Sequence, residues 1–188
     1  MIRLFNAVTD GLDYISAFVM TTAARAVFAG VLFVYYWNSA KTKVGDGLFG
    51  IFSPSDGAYI QIFPKAVEAA GYDTSQLGFF HWLIALAGTW AEFILPVLIV
   101  IGLATRLAAL GMIGFVLVQS YVDITGHALA AADIGVWFDA NPSSLIVDQR
   151  AFWILILGYL VLRGAGPISV DAIVRQSSSA FTSDPQPR

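Results

Sequence analysis

The sequence contains no cysteine. A disulfide framework, a thiolate metal site and a covalently attached c-type haem are therefore excluded. Charge is scarce: Asp, Glu, Lys and Arg make up 12% of the 188 residues, against roughly 25% in an ordinary soluble domain. With a net charge of −3 and no dense basic cluster, nucleic acid is not an expected partner. The signatures of soluble enzymes are missing too: no GxSxG, no HExxH, no P-loop and no GxGxxG. The opening Met1-Ile2-Arg3-Leu4-Phe5 lacks the parts of a secretory signal, so the first span is expected to stay attached.

What the sequence does have is long apolar runs. Hydrophobic residues reach 57% and the mean hydropathy is +0.73. Runs of this length point to a bilayer. Four spans are expected, at about 18–40, 79–102, 107–124 and 151–162. The last is short for a membrane that wants about 20 residues, with Arg150 and Arg163 placed to snorkel outward at its ends. Residues 1–17 form an apolar stripe (Leu4, Phe5, Val8, Leu12, Ile15) with a charged back, which suits an interfacial helix. Spans 2 and 3 are joined by a tight turn around Ala104-Thr105-Arg106. Spans 1 and 2 are joined by the long segment 41–78, in which a short helix is expected near 60–70. The Ser-rich stretch 176–188 reads as a disordered tail.

Intramembrane charge is the most informative feature. A charged side chain at the bilayer centre costs at least ~2.5 kcal/mol, so it is rarely left unpartnered. Arg25 lies in span 1 and Glu92 in span 2. On the helical period Arg25 shares a face with Ala29, Leu32 and Tyr36, while Glu92 shares one with His81, Ala85 and Gly88. The economical reading pairs Arg25 with Glu92 inside the bundle. Such a pair suits either a register-fixing ion pair or the wall of a ligand cavity. His81 and His127 fall near one membrane face, with Asp123 four residues before His127. With no cysteine and no second histidine close by on either helix, ordinary interfacial roles are preferred to a metal or bis-histidine haem site. Trp90 sits opposite Glu92 on its helix and reads as a packing residue.

Three segments carry a family likeness. The first is Arg25 followed by an apolar helix to Lys41, with Asn38 where a glycine is usual. The second is Glu92 followed by Gly102-Leu103-Ala104-Thr105-Arg106. The third is Gly164-Ala165-Gly166-Pro167-Ile168-Ser169-Val170-Asp171. In order and spacing they resemble the DoxX family of small bacterial four-helix membrane proteins. The resemblance covers about 20–175, although the connections 41–78 and 125–149 are long for the shortest members. It implies an inner-membrane location. Some relatives are membrane subunits of a thiosulfate:quinone oxidoreductase, others join redox-homeostasis complexes, and others accompany metal-responsive peptide-biosynthesis systems. Fold transfers from such a likeness better than activity.

The expectation is thus an all-α, four-helix transmembrane bundle with an N-terminal interfacial helix (1–17), a membrane domain (18–175) and a tail. Arg106, Arg163 and the other arginines beside the termini favour both termini in the cytoplasm, although Lys41 and Lys43 argue the other way. The leading functional reading is a membrane subunit of a redox-associated complex, with a quinone as ligand and no cofactor intrinsic to the chain. The other readings are a small transporter, with dimerisation offsetting its size, and a scaffold that docks a partner enzyme through 41–78. The candidate polar-core or ligand residues are Arg25, Glu92 and His81, with Lys41 and Arg106 at the two faces.

Overall fold

The computed structural model describes residues 2–182, which contain no β-strand. Helix α1 (Ile2–Phe28) passes through a π-helical turn, Ala29–Phe33, into α2 (Val34–Lys43). The connection to the second span holds α3 (Asp56–Ile62) and α4 (Pro64–Ala69). Helix α5 (Phe79–Ile101) and α6 (Thr105–Thr125) form the tight hairpin. After the single turn α7 (Ala131–Ile134), a second π-helical turn, Leu145–Gln149, leads into α8 (Arg150–Arg163), and α9 (Val170–Thr182) closes the described chain. Among the described residues four helices are long and apolar enough to cross a membrane: Phe18–Lys43, Phe79–Ile101, Thr105–Thr125 and Leu145–Arg163. Four crossings return the chain to the side on which it started.

Three segments differ from the sequence reading. The interfacial helix and span 1 are one continuous helix, with no break near residue 17. Span 4 is longer than its apolar run, because the π turn adds Leu145–Gln149 and brings it to 19 residues. Arg150 does not snorkel outward there. It is 6% exposed, since Asp123 on α6 partners it within the bundle. The stretch after Arg175 continues as helix to Thr182, and residues 183–188 lie outside the described residues.

The long first connection is built onto the bundle rather than hanging from it. Ser55 caps α3 through a hydrogen bond from the Ala58 N–H, and its hydroxyl donates to the Thr42 carbonyl. Pro64 opens α4, the helical position where a missing N–H costs least. Trp90 donates its indole N–H to the Ile51 carbonyl at 2.8 Å, and its ring meets Phe52 edge-on. The packing role expected of Trp90 is therefore to tether this connection to α5.

Lipid offers helices no hydrophobic gain from meeting, so close packing must hold the bundle. The core supplies it with Phe28, Leu32 and Tyr36 from span 1, Ile99 from α5, Ala108, Ala109, Met112 and Val116 from α6, and Leu157 and Leu160 from α8. The two alanines let α6 approach its neighbours closely. Large apolar side chains such as Val31, Phe80, Leu107, Leu117 and Leu155 point outward on the spans, which is the arrangement a lipid-facing surface requires.

Candidate functional site

The intramembrane charges divide into two centres, and helical geometry decides which goes where. Side chains on a helix slant back towards its N-terminus. Arg25 near the start of span 1 is therefore directed towards that end of the bundle. Lys43, the last residue of span 1, is directed back into it.

Arg25 accordingly does not pair with Glu92. Its Nε donates to the Ile99 carbonyl at 3.0 Å and its Nη2 to the Val100 carbonyl at 2.5 Å. Its Nη1 donates to the carbonyls of Ala165, at 3.0 Å, and Ile168. Ile99 and Val100 lie in the last turn of α5, whose carbonyls have no helical donors. The planar, multi-donor guanidinium thus closes the C-terminus of α5 and pins the α8–α9 loop to it.

Asp171 completes this clasp from the other side. Its carboxylate accepts from the backbone N–H groups of Ala104, at 2.7 Å, and Thr105, at 3.0 Å, which open α6. Its own N–H donates to the Gly102 carbonyl at 2.8 Å. Gly102 has φ +74°, and a Cβ there would stand 2.5 Å from Ser169 Cβ and 2.9 Å from Arg25 Cζ. Only glycine accommodates both the left-handed turn and that approach. Burial pushes the Asp171 carboxyl up, but the Thr105 and Ala104 N–H groups and the nearby Arg175 outweigh it and hold it below the usual carboxylate range.

The second centre is a buried ion pair. Lys43 Nζ lies 3.0 Å from Glu92 Oε1 and 2.9 Å from Oε2. It also donates to Ser39 Oγ at 2.6 Å, and that hydroxyl donates to Glu92 Oε1 at 3.3 Å. Pro96, buried in α5 four residues after Glu92, has no N–H to give the Glu92 carbonyl. The helix lacks one backbone hydrogen bond where its charge sits.

This pair borders a cavity of about 510 Å³ between α2, α3, α5 and α6. The volume is in the ordinary range for a small-molecule pocket, about 300–1,000 Å³. Small residues make the space: Ala87, Gly88 and Ala91 on α5, and Gly111 and Gly114 on α6, line it. A Cβ on Gly114 would meet nothing within 4 Å. Leu95, Phe115 and Val118 supply apolar wall, while Gln119, Asp123 and His127 add polar groups. Asp123 pairs with Arg150, which also donates to Ser120 Oγ at 2.8 Å and lies 5.9 Å over the Trp153 ring. His127 Nε2 lies 3.0 Å from the Gln61 carbonyl.

Of the five candidate polar-core or ligand residues, Arg25, Glu92, His81, Lys41 and Arg106, Glu92 alone joins the cavity wall, while Asp123 and His127, read as interfacial, line it as well. Arg25 belongs to the clasp. Arg106 is exposed beside Gly164 at the clasp end. His81 stacks edge-on with Phe63, at 4.8 Å between centroids, and its Nδ1 is buried without a hydrogen bond. Lys41 is exposed. The residue sequence reasoning missed is Lys43, and its signal was present: the buried face through Phe28, Leu32 and Tyr36 continues by helical steps to Ala40 and Lys43. No group of three or more His, Asp or Glu suited to a metal occurs among the described residues.

Fold and charge together define a small four-span integral membrane protein with a polar centre buried between its helices. Its family follows from the sequence match: the DoxX family profile covers residues 20–122, and the chain belongs to that family. No curated protein and no solved structure matches it. The matched region contains Arg25, Lys43, Glu92 and the Gly102–Arg106 turn. Asp171 lies beyond it, yet hydrogen-bonds into that turn.

Proposed function

We propose that this protein is the membrane subunit of a redox-associated complex and holds the head group of a quinone in the cavity beside Lys43 and Glu92. One observation carries the reading: a buried, hydrogen-bonded ion pair stands in the wall of a largely apolar cavity between the apolar spans. A quinone needs an apolar slot for its ring and tail and donors for its carbonyl oxygens. The Lys43 ammonium and the Ser39 hydroxyl are donors at that wall, and the Glu92 carboxylate is a proton acceptor there. The quinone, when bound, supplies the electron chemistry, and the residues of this chain bind, orient and exchange protons.

The test is extraction and chromatographic quantitation of quinone from the purified full chain. Wild type retains it, whereas Gly114→Leu, which fills the cavity away from the ion pair, loses it at unchanged thermal stability. Glu92→Gln lowers retention as well. Absence of quinone from wild type purified in mild detergent sinks the reading.

A second reading is a small permease. It is favoured by the Asp123–Arg150 pair, which places a second charged couple at the margin of the same cavity and would extend a polar path. Solute uptake into proteoliposomes that depends on both Glu92 and Asp123 would select it over the quinone site.

A further inference from the structure

At the clasp end the structure has a second cavity that neither the ion pairs nor the proposed function uses. It is a cleft of about 830 Å³ between α1, the end of α8 and α9. Ile15 and Phe18 of α1 form one wall, and both are about half exposed. Arg163 and Arg175 also line it, together with Gly166 and Pro167 of the α8–α9 loop. Both arginines are exposed, and neither makes a hydrogen bond or ion pair with a described residue. The acid nearest in effect is Asp171, which Arg175 influences electrostatically. That carboxylate is already engaged by the Ala104 and Thr105 N–H groups. Arg106, whose Nε approaches to 3.3 Å of where a Gly164 Cβ would stand, adds a third guanidinium to this end.

We propose that this cleft binds an anionic phospholipid, with the headgroup phosphate between Arg163 and Arg175 and an acyl chain along Ile15 and Phe18. The chemistry is complementary on both sides. Guanidinium groups recognise phosphate oxygens through paired, charge-assisted hydrogen bonds. Exposed Ile15 and Phe18 present apolar surface where an acyl chain leaves the headgroup region. A phosphodiester supplies the negative charge that the cleft lacks, in the manner of basic pockets between transmembrane helices. The apolar wall distinguishes a lipid from a free anion, which would have no use for it. Binding there also bears on the clasp. Gly166 and Pro167 belong to the same short loop as Ala165 and Ile168, whose carbonyls hold Arg25. A lipid seated on that loop holds α8, α9 and α5 together.

The experiment measures thermal unfolding of the purified full chain in nonionic detergent, with added dioleoyl phosphatidylglycerol, dioleoyl phosphatidylcholine or inorganic phosphate. Native mass spectrometry of the same samples counts retained lipid. Phosphatidylglycerol raises the unfolding temperature and is retained about tenfold or more over phosphatidylcholine, and inorganic phosphate does neither. Arg163→Gln with Arg175→Gln removes the preference, while Lys41→Gln with Lys65→Gln leaves it. Equal retention of the two lipids by wild type overturns the proposal, and needs no variant to fold. So does a preference that survives in the arginine double variant. A shift given equally by inorganic phosphate would mean an anion site and not a lipid site.

Discussion

Lys43 and Glu92 meet inside the bundle with Nζ 3.0 Å and 2.9 Å from the two carboxylate oxygens, their side chains only 5% and 4% exposed. Each charge is tolerable there because of the other. Removing one leaves the second buried and unpaired, a loss of about 3–5 kcal/mol. Glu92→Gln and Lys43→Met are each expected to destabilise by that order in detergent unfolding. Lys43→Met combined with Glu92→Leu should recover most of the loss, since an apolar pair of similar volume no longer needs compensation. Single variants as stable as wild type would show that the pair is not charged in the native state.

Arg25 supports a different prediction, because its partners are carbonyls and not a carboxylate. Arg25→Lys keeps the charge but loses the planar fork that reaches both α5 and the α8–α9 loop. Hydrogen bonds from a charged donor contribute about 1.5–3 kcal/mol, so the variant should lose about 2 kcal/mol. Gly102→Ala strikes the same place, since its Cβ would collide with Ser169 and Arg25. The two losses are expected to be non-additive, with the double variant less destabilised than the sum. Strict additivity would mean that they act on separate structures.

The pH dependence of the clasp follows from Asp171. Its folded-state pKa lies below the ordinary value, because the Thr105 and Ala104 N–H groups and Arg175 overcome the opposing effect of burial. A depressed carboxyl contributes stability that is present above its unfolded pKa, near 3.9, and is lost as pH falls through the folded value. Wild type should therefore lose stability on acidification below about pH 4. Asp171→Asn should be less stable at neutral pH, by about 1 kcal/mol for the weakened cap, and should show a smaller acid dependence. Parallel wild-type and variant curves of unfolding temperature against pH would refute the assignment.

The fold was legible because its signals are long-range averages: four apolar runs and a tight turn between the second and third. Partner choice was not, because opposite sign is a poor guide when backbone carbonyls compete. Arg25 and Glu92 are the obvious couple by charge, yet the backward slant of helical side chains sends Arg25 away from Glu92 and Lys43 towards it. Lys41 was the lysine singled out from the sequence, but the buried one is Lys43, and two residues on a helix separate opposite faces. Arg150 looked like a snorkelling end residue because its partner, Asp123, is 27 residues earlier on another helix. The third family segment carried the likeness, but its hydrogen bonds to the start of α6 needed the tertiary fold.

Membrane orientation is the last consequence of these pairings. From sequence the two faces carry similar numbers of cations. Two of those on the side of the α2–α5 connection, Lys43 and Arg150, are neutralised in ion pairs. Lys41 and Lys65 remain there, whereas Arg3, Arg25, Arg106, Arg163 and Arg175 stand on the side of the clasp with no acidic side chain in ion-pair contact among the described residues. Lys and Arg near span ends favour the cytoplasm, so the clasp end and α9 are expected inside. The cysteine-free sequence makes the check direct. Glu68→Cys on exposed α4 should react with a membrane-impermeant maleimide on intact cells, and Ser177→Cys on α9 only after lysis. The reverse pattern would invert the topology and move the arginine-lined cleft to the outer leaflet.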